Sequence, residues 1–190
     1  MTRARIAVAL LTLSFIAGVR LLADEDYVEV ATIPVKGDVP TNGFGSTTQL
    51  DGTPVQLGDR TTPVKALQRS LAYMQEAEAS FRSCVTVPLH QAEYDVYIDF
   101  AYQYGMPTLC ASSIVEHLNA QRYEQACNAL LAYRYMTSAT PIAGWTVIKR
   151  DSAGAPARWG FDCSAPGNKV CSGVWTRQQA RHQRCMEAQL

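Results

Sequence analysis

The 190-residue chain is predicted to be an α+β protein, with a small β-lobe ahead of a larger helical lobe and a long helix joining the two. Three observations carry this expectation. Turn and strand chemistry is confined to residues 38–57, hydrophobic spacing turns helical from residue 61, and helical spacing dominates the rest. Apolar residues make up 47% and charged residues 18%, a globular composition that excludes a disordered chain or a multi-pass membrane protein.

Residues 1–23 read as a segment of their own. Arg3 and Arg5 precede the uncharged, mostly apolar run Ile6–Val19; Arg20 interrupts, Leu21-Leu22-Ala23 follow, and the chain turns acidic at Asp24-Glu25-Asp26. Such a run is short for a spanning helix and fits the apolar stretch of an export signal. It lacks the polar stripe expected of a helix buried in a domain. Residues 24–190 then form one domain, with the β-lobe over about 24–60 and the helical lobe over about 61–190.

In the β-lobe, Thr41-Asn42-Gly43-Phe44-Gly45-Ser46 and the Asp51-Gly52 turn before Thr53–Leu57 are hairpin chemistry. The first long helix starts at Thr62 as cap and Pro63 as first helical residue, with Val64, Leu67, Leu71, Met74 and Phe81 as its apolar side. Pro88 opens a second helix through Val96, Phe100 and Tyr104, stopped by Gly105. Ser113-Ile114-Val115-Glu116 reads as a capping box. Helix resumes over 121–135, residues 141–172 read as irregular, and a last helix covers about 174–187.

Six cysteines follow the leader: Cys84, Cys110, Cys127, Cys163, Cys171 and Cys185. An even count in an exported chain reads as a disulfide framework. The expected pairs are Cys163–Cys171, Cys110–Cys127 and Cys84–Cys185. No Cys-x-x-Cys occurs, and His90, His117 and His182 are scattered, so neither a metal site nor a cofactor is expected.

Lys and Arg (17) balance Asp and Glu (17), which argues against a nucleic-acid partner. The balance hides an acidic stretch over 24–99 and a basic tail over 149–190. No Gly-x-Ser-x-Gly or phosphate loop is present. The chemistry-bearing feature is the acidic cluster Asp24, Glu25, Asp26 and Glu29, followed by Asp38 and Thr41. Carboxylates held together in a partly dry cleft have their pKa values pushed apart, leaving one as general acid and one ionised, the pair that glycoside hydrolysis requires.

Glu25-Asp26-Tyr27 with Gly37-Asp38-Val39-Pro40-Thr41-Asn42-Gly43-Phe44-Gly45 resembles the catalytic segment of phage lysozymes of glycoside hydrolase family 24. The resemblance continues in Asp99-Phe100-Ala101-Tyr102-Gln103-Tyr104-Gly105, in Cys110–Val115 and in Tyr123–Ala126, covering residues 25–135. Cys84–Leu89 and Cys185 are similar to the disulfide-bearing endolysins of the group. The leader is similar to their signal-arrest-release segments.

The resemblance implies a lysozyme-like fold and a muramidase, with Glu25, Asp38 and Thr41 catalytic and Tyr102 and Gln103 touching substrate. It implies peptidoglycan as partner and a monomer held transiently at the inner membrane through residues 6–23. The enzyme would then be periplasmic in a Gram-negative host. Counting back from Thr41, the family's Asp falls on Val35, and its Asn on Gln103. Eight residues lie between Glu29 and Asp38, the spacing the family has between its Glu and Asp, which makes Glu29 a rival acid. A non-catalytic wall-binding protein and a lytic transglycosylase are the alternative readings.

Overall fold

The computed structural model describes residues 4–34 and 39–190. The chain forms two compact units, Met1–Val115 and Glu116–Leu190.

In the first unit, the N-terminal chain opens with Ile6 and Leu89 exchanging backbone hydrogen bonds. Ser14 then caps helix α1 (Phe15–Glu25), accepting from the amide of Ala17. Val8, Leu11 and Leu21 are buried, while Leu10, Phe15, Ile16 and Val19 are exposed. The predicted apolar leader is thus packed into the unit along one side. Two buried carboxylates, Glu78 and Glu93, and the half-buried Asp95 hold it there. Arg5 pairs with Glu93 at 3.1 Å, the amide of Leu13 donates to Glu78 at 2.7 Å, and Ser14 donates its amide and hydroxyl to Asp95 at 2.9 and 2.6 Å.

Strand β1 (Val28–Thr32) pairs antiparallel with β2 (Thr41–Gly43). The Asp51-Gly52 turn forms as its chemistry predicts: Thr48 bridges Pro54, and the Asp51 carboxylate accepts from Thr53. Helix α2 (Pro63–Cys84) begins where expected, Thr62 accepting from the Lys65 amide. Its buried side differs from the predicted one. Ala66, Arg69, Ser70, Met74, Ala77, Glu78 and Phe81 face inward, and Val64, Leu67 and Leu71 are exposed. Small residues let the β-hairpin approach the helix closely, and that approach chooses the face.

Helix α3 (Gln91–Tyr104) starts three residues after Pro88. His90 and Glu93 form its capping box, and Gly105 ends it. It is buried on nearly every side, with Phe81 of α2 edge-on to Tyr94 and stacked on Tyr97. Helix α4 (Met106–Cys110) follows, and Cys84–Cys110 ties it to the end of α2. Helix α5 (Ser113–Asn119) includes Ser113 as its first residue rather than its cap, while Ser112 donates to Leu109 O.

The second unit departs most from expectation. Helix α6 (Tyr123–Ala129) ends in a single 3-10 turn at Ala132, three residues before the expected end at 135. The segment read as irregular supplies two strands. Strands β3 (Tyr135–Ser138), β4 (Thr146–Arg150) and β5 (Pro156–Asp162) form an antiparallel sheet in the order β3-β5-β4. The β4–β5 turn closes through Asp151, whose carboxylate accepts from the amides of Ala153 and Ala155. Helix α7 (Ser172–Glu187) ends the fold.

Two of the expected disulfides are corrected. The pairs are Cys84–Cys110, Cys127–Cys185 and Cys163–Cys171. Cys127 and Cys185 face each other because α6 packs on α7; only the short Cys163–Cys171 loop was legible from local turn chemistry. Among the described residues no helix is long and apolar enough to cross a membrane, and no cluster fits a metal ion.

Removing the Cys127–Cys185 bridge, with a sequence separation of 58, is expected to cost about 4 kcal/mol in the chain-entropy picture. Removing Cys84–Cys110, with a separation of 26, is expected to cost about 3.5 kcal/mol. Urea unfolding of the two double-serine variants checks the order. The reverse order would indicate that loop closure is not the main term.

Candidate active site

The site forms where α1 ends. Glu25 is the last residue of that helix, and Asp26 follows with φ 55°, a left-handed conformation uncommon outside glycine. It reverses the chain from α1 into β1. Tyr27 is then anchored by its hydroxyl on Thr61 O at 3.1 Å.

Opposite Glu25 lies the turn after β2. Asn42 and Ser46 exchange backbone hydrogen bonds of 3.2 and 2.9 Å, closing a tight loop around Gly43, Phe44 and Gly45. Both glycines have positive φ, 65° and 77°. A Cβ on Gly43 would lie 2.8 Å from Ala66 Cβ, and one on Gly45 would lie 3.3 Å from the Glu25 carboxylate. The glycines therefore set both the seating of the loop on α2 and the space in front of Glu25. Phe44 is held by Tyr27, at 5.7 Å between ring centroids, and by Tyr102, whose hydroxyl donates to Phe44 O at 2.7 Å.

Beneath the loop, Arg69 of α2 donates to Asn42 Oδ1 at 2.6 Å and to Gln49 Oε1 at 3.1 Å. Asn42 in turn donates to Asp59 O at 3.1 Å. Tyr73 stands edge-on to Tyr102 at 5.1 Å. Burial raises the pKa of Tyr102 and of Tyr73, the latter helped by the nearby Glu76 charge, so both phenols are neutral donors at working pH.

These residues surround a cleft of about 750 Å³. Glu25, Thr41, Tyr102 and Gln103, all expected from the sequence, line it together with Asn42, Gly45, Arg69, Tyr73 and Glu76. The expected Asp38, and Val35 at the family's Asp position, lie outside the described residues. The rival acid Glu29 is exposed and paired with Arg60 at 2.6 Å; it does not line the cleft. Tyr104 stacks on Phe100 at 4.6 Å, and Trp145 lies in the second unit, 6.3 Å from the Phe161 ring. Arg69 and Asn42 escaped the sequence reading. The available signal was a charged residue sharing a helix face with Ala66, Ser70 and Ala77.

The phage lysozyme family model matches residues 18–152. The chain is 30% identical over 96 residues to the endolysin of Salmonella phage P22, a match covering 50% of this chain and 66% of that protein. It is 26% identical over 137 residues to the SAR-endolysin of Pseudomonas phage phiKMV, covering 72% of this chain and 79% of that one. Among solved structures, the endolysin of Escherichia coli O157:H7 phage FAHEc1 superposes with a TM-score of 0.70 at 19% identity, covering 94% of this chain and 96% of that one.

Gly45→Ala is expected to destabilise the fold by about 1–2 kcal/mol, the cost of a left-handed non-glycine residue. Because the added methyl group crowds Glu25, turnover should fall much more than stability does. A variant with a lowered melting temperature and unaltered turnover would show that Gly45 serves the turn alone.

Proposed function

This chain belongs to the phage lysozyme family, and we propose from that membership that it is an endolysin. It is a muramidase that hydrolyses the β-1,4 bond between N-acetylmuramic acid and N-acetylglucosamine in peptidoglycan, for lysis of the host cell. The observation that carries the reading is the single cleft into which α1 delivers Glu25 and β2 delivers Thr41.

Glu25 acts as the general acid. It protonates the bridging oxygen as the glycosidic bond breaks, so that the departing sugar leaves as an alcohol while positive charge develops on the ring of the sugar whose anomeric carbon loses that bond. On the opposite ring face the Thr41 hydroxyl orients a water, and the carboxylate of Asp38, on the connection between β1 and β2, takes its proton. This is the division of labour of an inverting hydrolase. Tyr102 and Gln103 supply hydrogen bonds and an aromatic edge along the glycan.

The protein acts as an exported monomer. Residues 6–23 first hold it at the inner membrane, then leave the bilayer and pack as they are found in the fold. Supporting this, Leu10, Phe15, Ile16 and Val19 remain exposed, while polar bonds from Arg5, Leu13 and Ser14 draw the other side of the segment onto α2 and α3. Glu25 ends the helix that Phe15 begins, so a segment still in the membrane withholds the catalytic acid from the cleft.

Glu25→Gln is expected to abolish murein hydrolysis in a gel-overlay assay without lowering the melting temperature. Clearing by Glu25→Gln together with loss in Glu29→Gln would move the acid to Glu29. Replacing Ala7, Ala9, Thr12, Ser14 and Gly18 by Leu should trap the chain in the inner membrane and suppress lysis. N-terminal sequencing of active periplasmic enzyme should find the leader present; a start at Asp24 would mean ordinary cleavage and would rule out the packing step.

A further inference from the structure

The β4–β5 hairpin of the second unit carries charge and aliphatic surface that the fold does not use. Every residue over 146–158 is exposed. Successive strand residues point to opposite faces, so both faces of the hairpin are open. It bears Lys149, Arg150 and Arg158, and among the described residues none of the three forms an ion pair. Arg150 donates to Gly154 O at 2.9 Å, and Arg158 reaches the Thr137 hydroxyl. The nearby acids are engaged elsewhere. Asp151 closes the turn, while Asp162 pairs with Arg134 at 3.3 Å and accepts from Ser164.

For folding, the arrangement is unfavourable. Lys149 and Arg158 are cross-strand neighbours, and like charges directly opposite each other destabilise a sheet. Ile142, Val147 and Ile148 are exposed beside them. Val147 sits opposite the half-buried Trp159, and Ile148 lies over Gly160, where a Cβ would come within 2.8 Å of it. The two aliphatic residues therefore stand on opposite faces. Because β4 is an edge strand, an edge-on approach brings both of them, with the cations, to one surface.

This combination selects a partner. Cations attract any polyanion, but branched aliphatic side chains carry no hydrogen-bonding group and add nothing toward a hydrated carboxylate or phosphate polymer. A phospholipid surface takes both kinds of residue. Its anionic headgroups hold Lys and Arg, and the boundary beneath them takes aliphatic and tryptophan side chains. We propose that the β4–β5 hairpin is a docking surface for a bilayer containing anionic phospholipid. Lys149, Arg150 and Arg158 meet the headgroups, and Val147 and Ile148 enter the boundary. The surface is distinct from residues 6–23 and does not depend on the muramidase reading.

The test is co-sedimentation of the full-length protein with phosphatidylcholine vesicles, with and without phosphatidylglycerol. The protein should bind the anionic vesicles more tightly and leave them as salt is raised. A basic residue near such a surface is worth about fivefold in affinity, so Lys149→Gln should weaken binding about fivefold, and Lys149→Gln, Arg150→Gln and Arg158→Gln together roughly hundredfold. The melting temperature of the triple variant should be unchanged or raised, since the repulsion between Lys149 and Arg158 is relieved. Val147→Ser with Ile148→Ser should weaken binding while keeping its salt dependence. Equal binding to the two kinds of vesicle would overturn the proposal. So would unchanged vesicle binding in the triple variant, which would assign lipid contact to another surface such as the exposed side of α1. Loss of binding to purified murein in that variant, with vesicle binding intact, would make the hairpin a wall contact and overturn it equally.

Discussion

The docking of the N-terminal segment onto α2 and α3 fixes where Glu25, the proposed catalytic acid, stands in the cleft. Glu25 is carried on α1, and α1 is fixed at its start by Ser14 on Asp95 and by the Leu13 amide on Glu78. Those carboxylates also serve the helices that bear them. Glu78 accepts from the Tyr94 hydroxyl at 2.8 Å, and Glu93 caps α3 while holding Arg5. A carboxylate with several donors is worth more than a lone surface pair, since each donor offsets part of its desolvation. The same bonds that complete the fold therefore set the position of Glu25, the proposed acid.

The other wall of the cleft is built on a different principle. There the loop 42–46 is brought onto α2 by removing side-chain bulk, at Gly43 and Ala66, and is then pinned by Arg69 and Tyr102. The exposed residues Val64, Leu67 and Leu71 show that the helix gave up a more apolar face to make this contact.

Much of the architecture was legible because its signals are local. Thr62-Pro63, Gly105 and Asp51-Gly52 each state a start, a stop or a turn by backbone chemistry alone. Two walls of the cleft were legible, through Glu25 and the Thr41–Gly45 run. What stayed hidden was non-local. The pairing of Cys84 with Cys110 depends on where α4 lands, and that of Cys127 with Cys185 on the packing of α6 against α7. Val28 and Val30 alternate as a strand should, but the neighbouring acids drew the reading toward chemistry. Strands β4 and β5 were missed because a region rich in Gly and Pro was read as irregular, although Asp151 and Gly154 mark its turn.

The central claim, that this cleft cleaves murein by adding water, is tested most directly by digesting purified murein in water enriched in the heavy oxygen isotope and analysing the glycan ends by mass spectrometry. The account predicts reducing N-acetylmuramic acid ends that carry one heavy oxygen. Ends closed as 1,6-anhydro sugars without the label would contradict it, since the sugar's own hydroxyl, and not a water positioned by Thr41, would have completed the reaction.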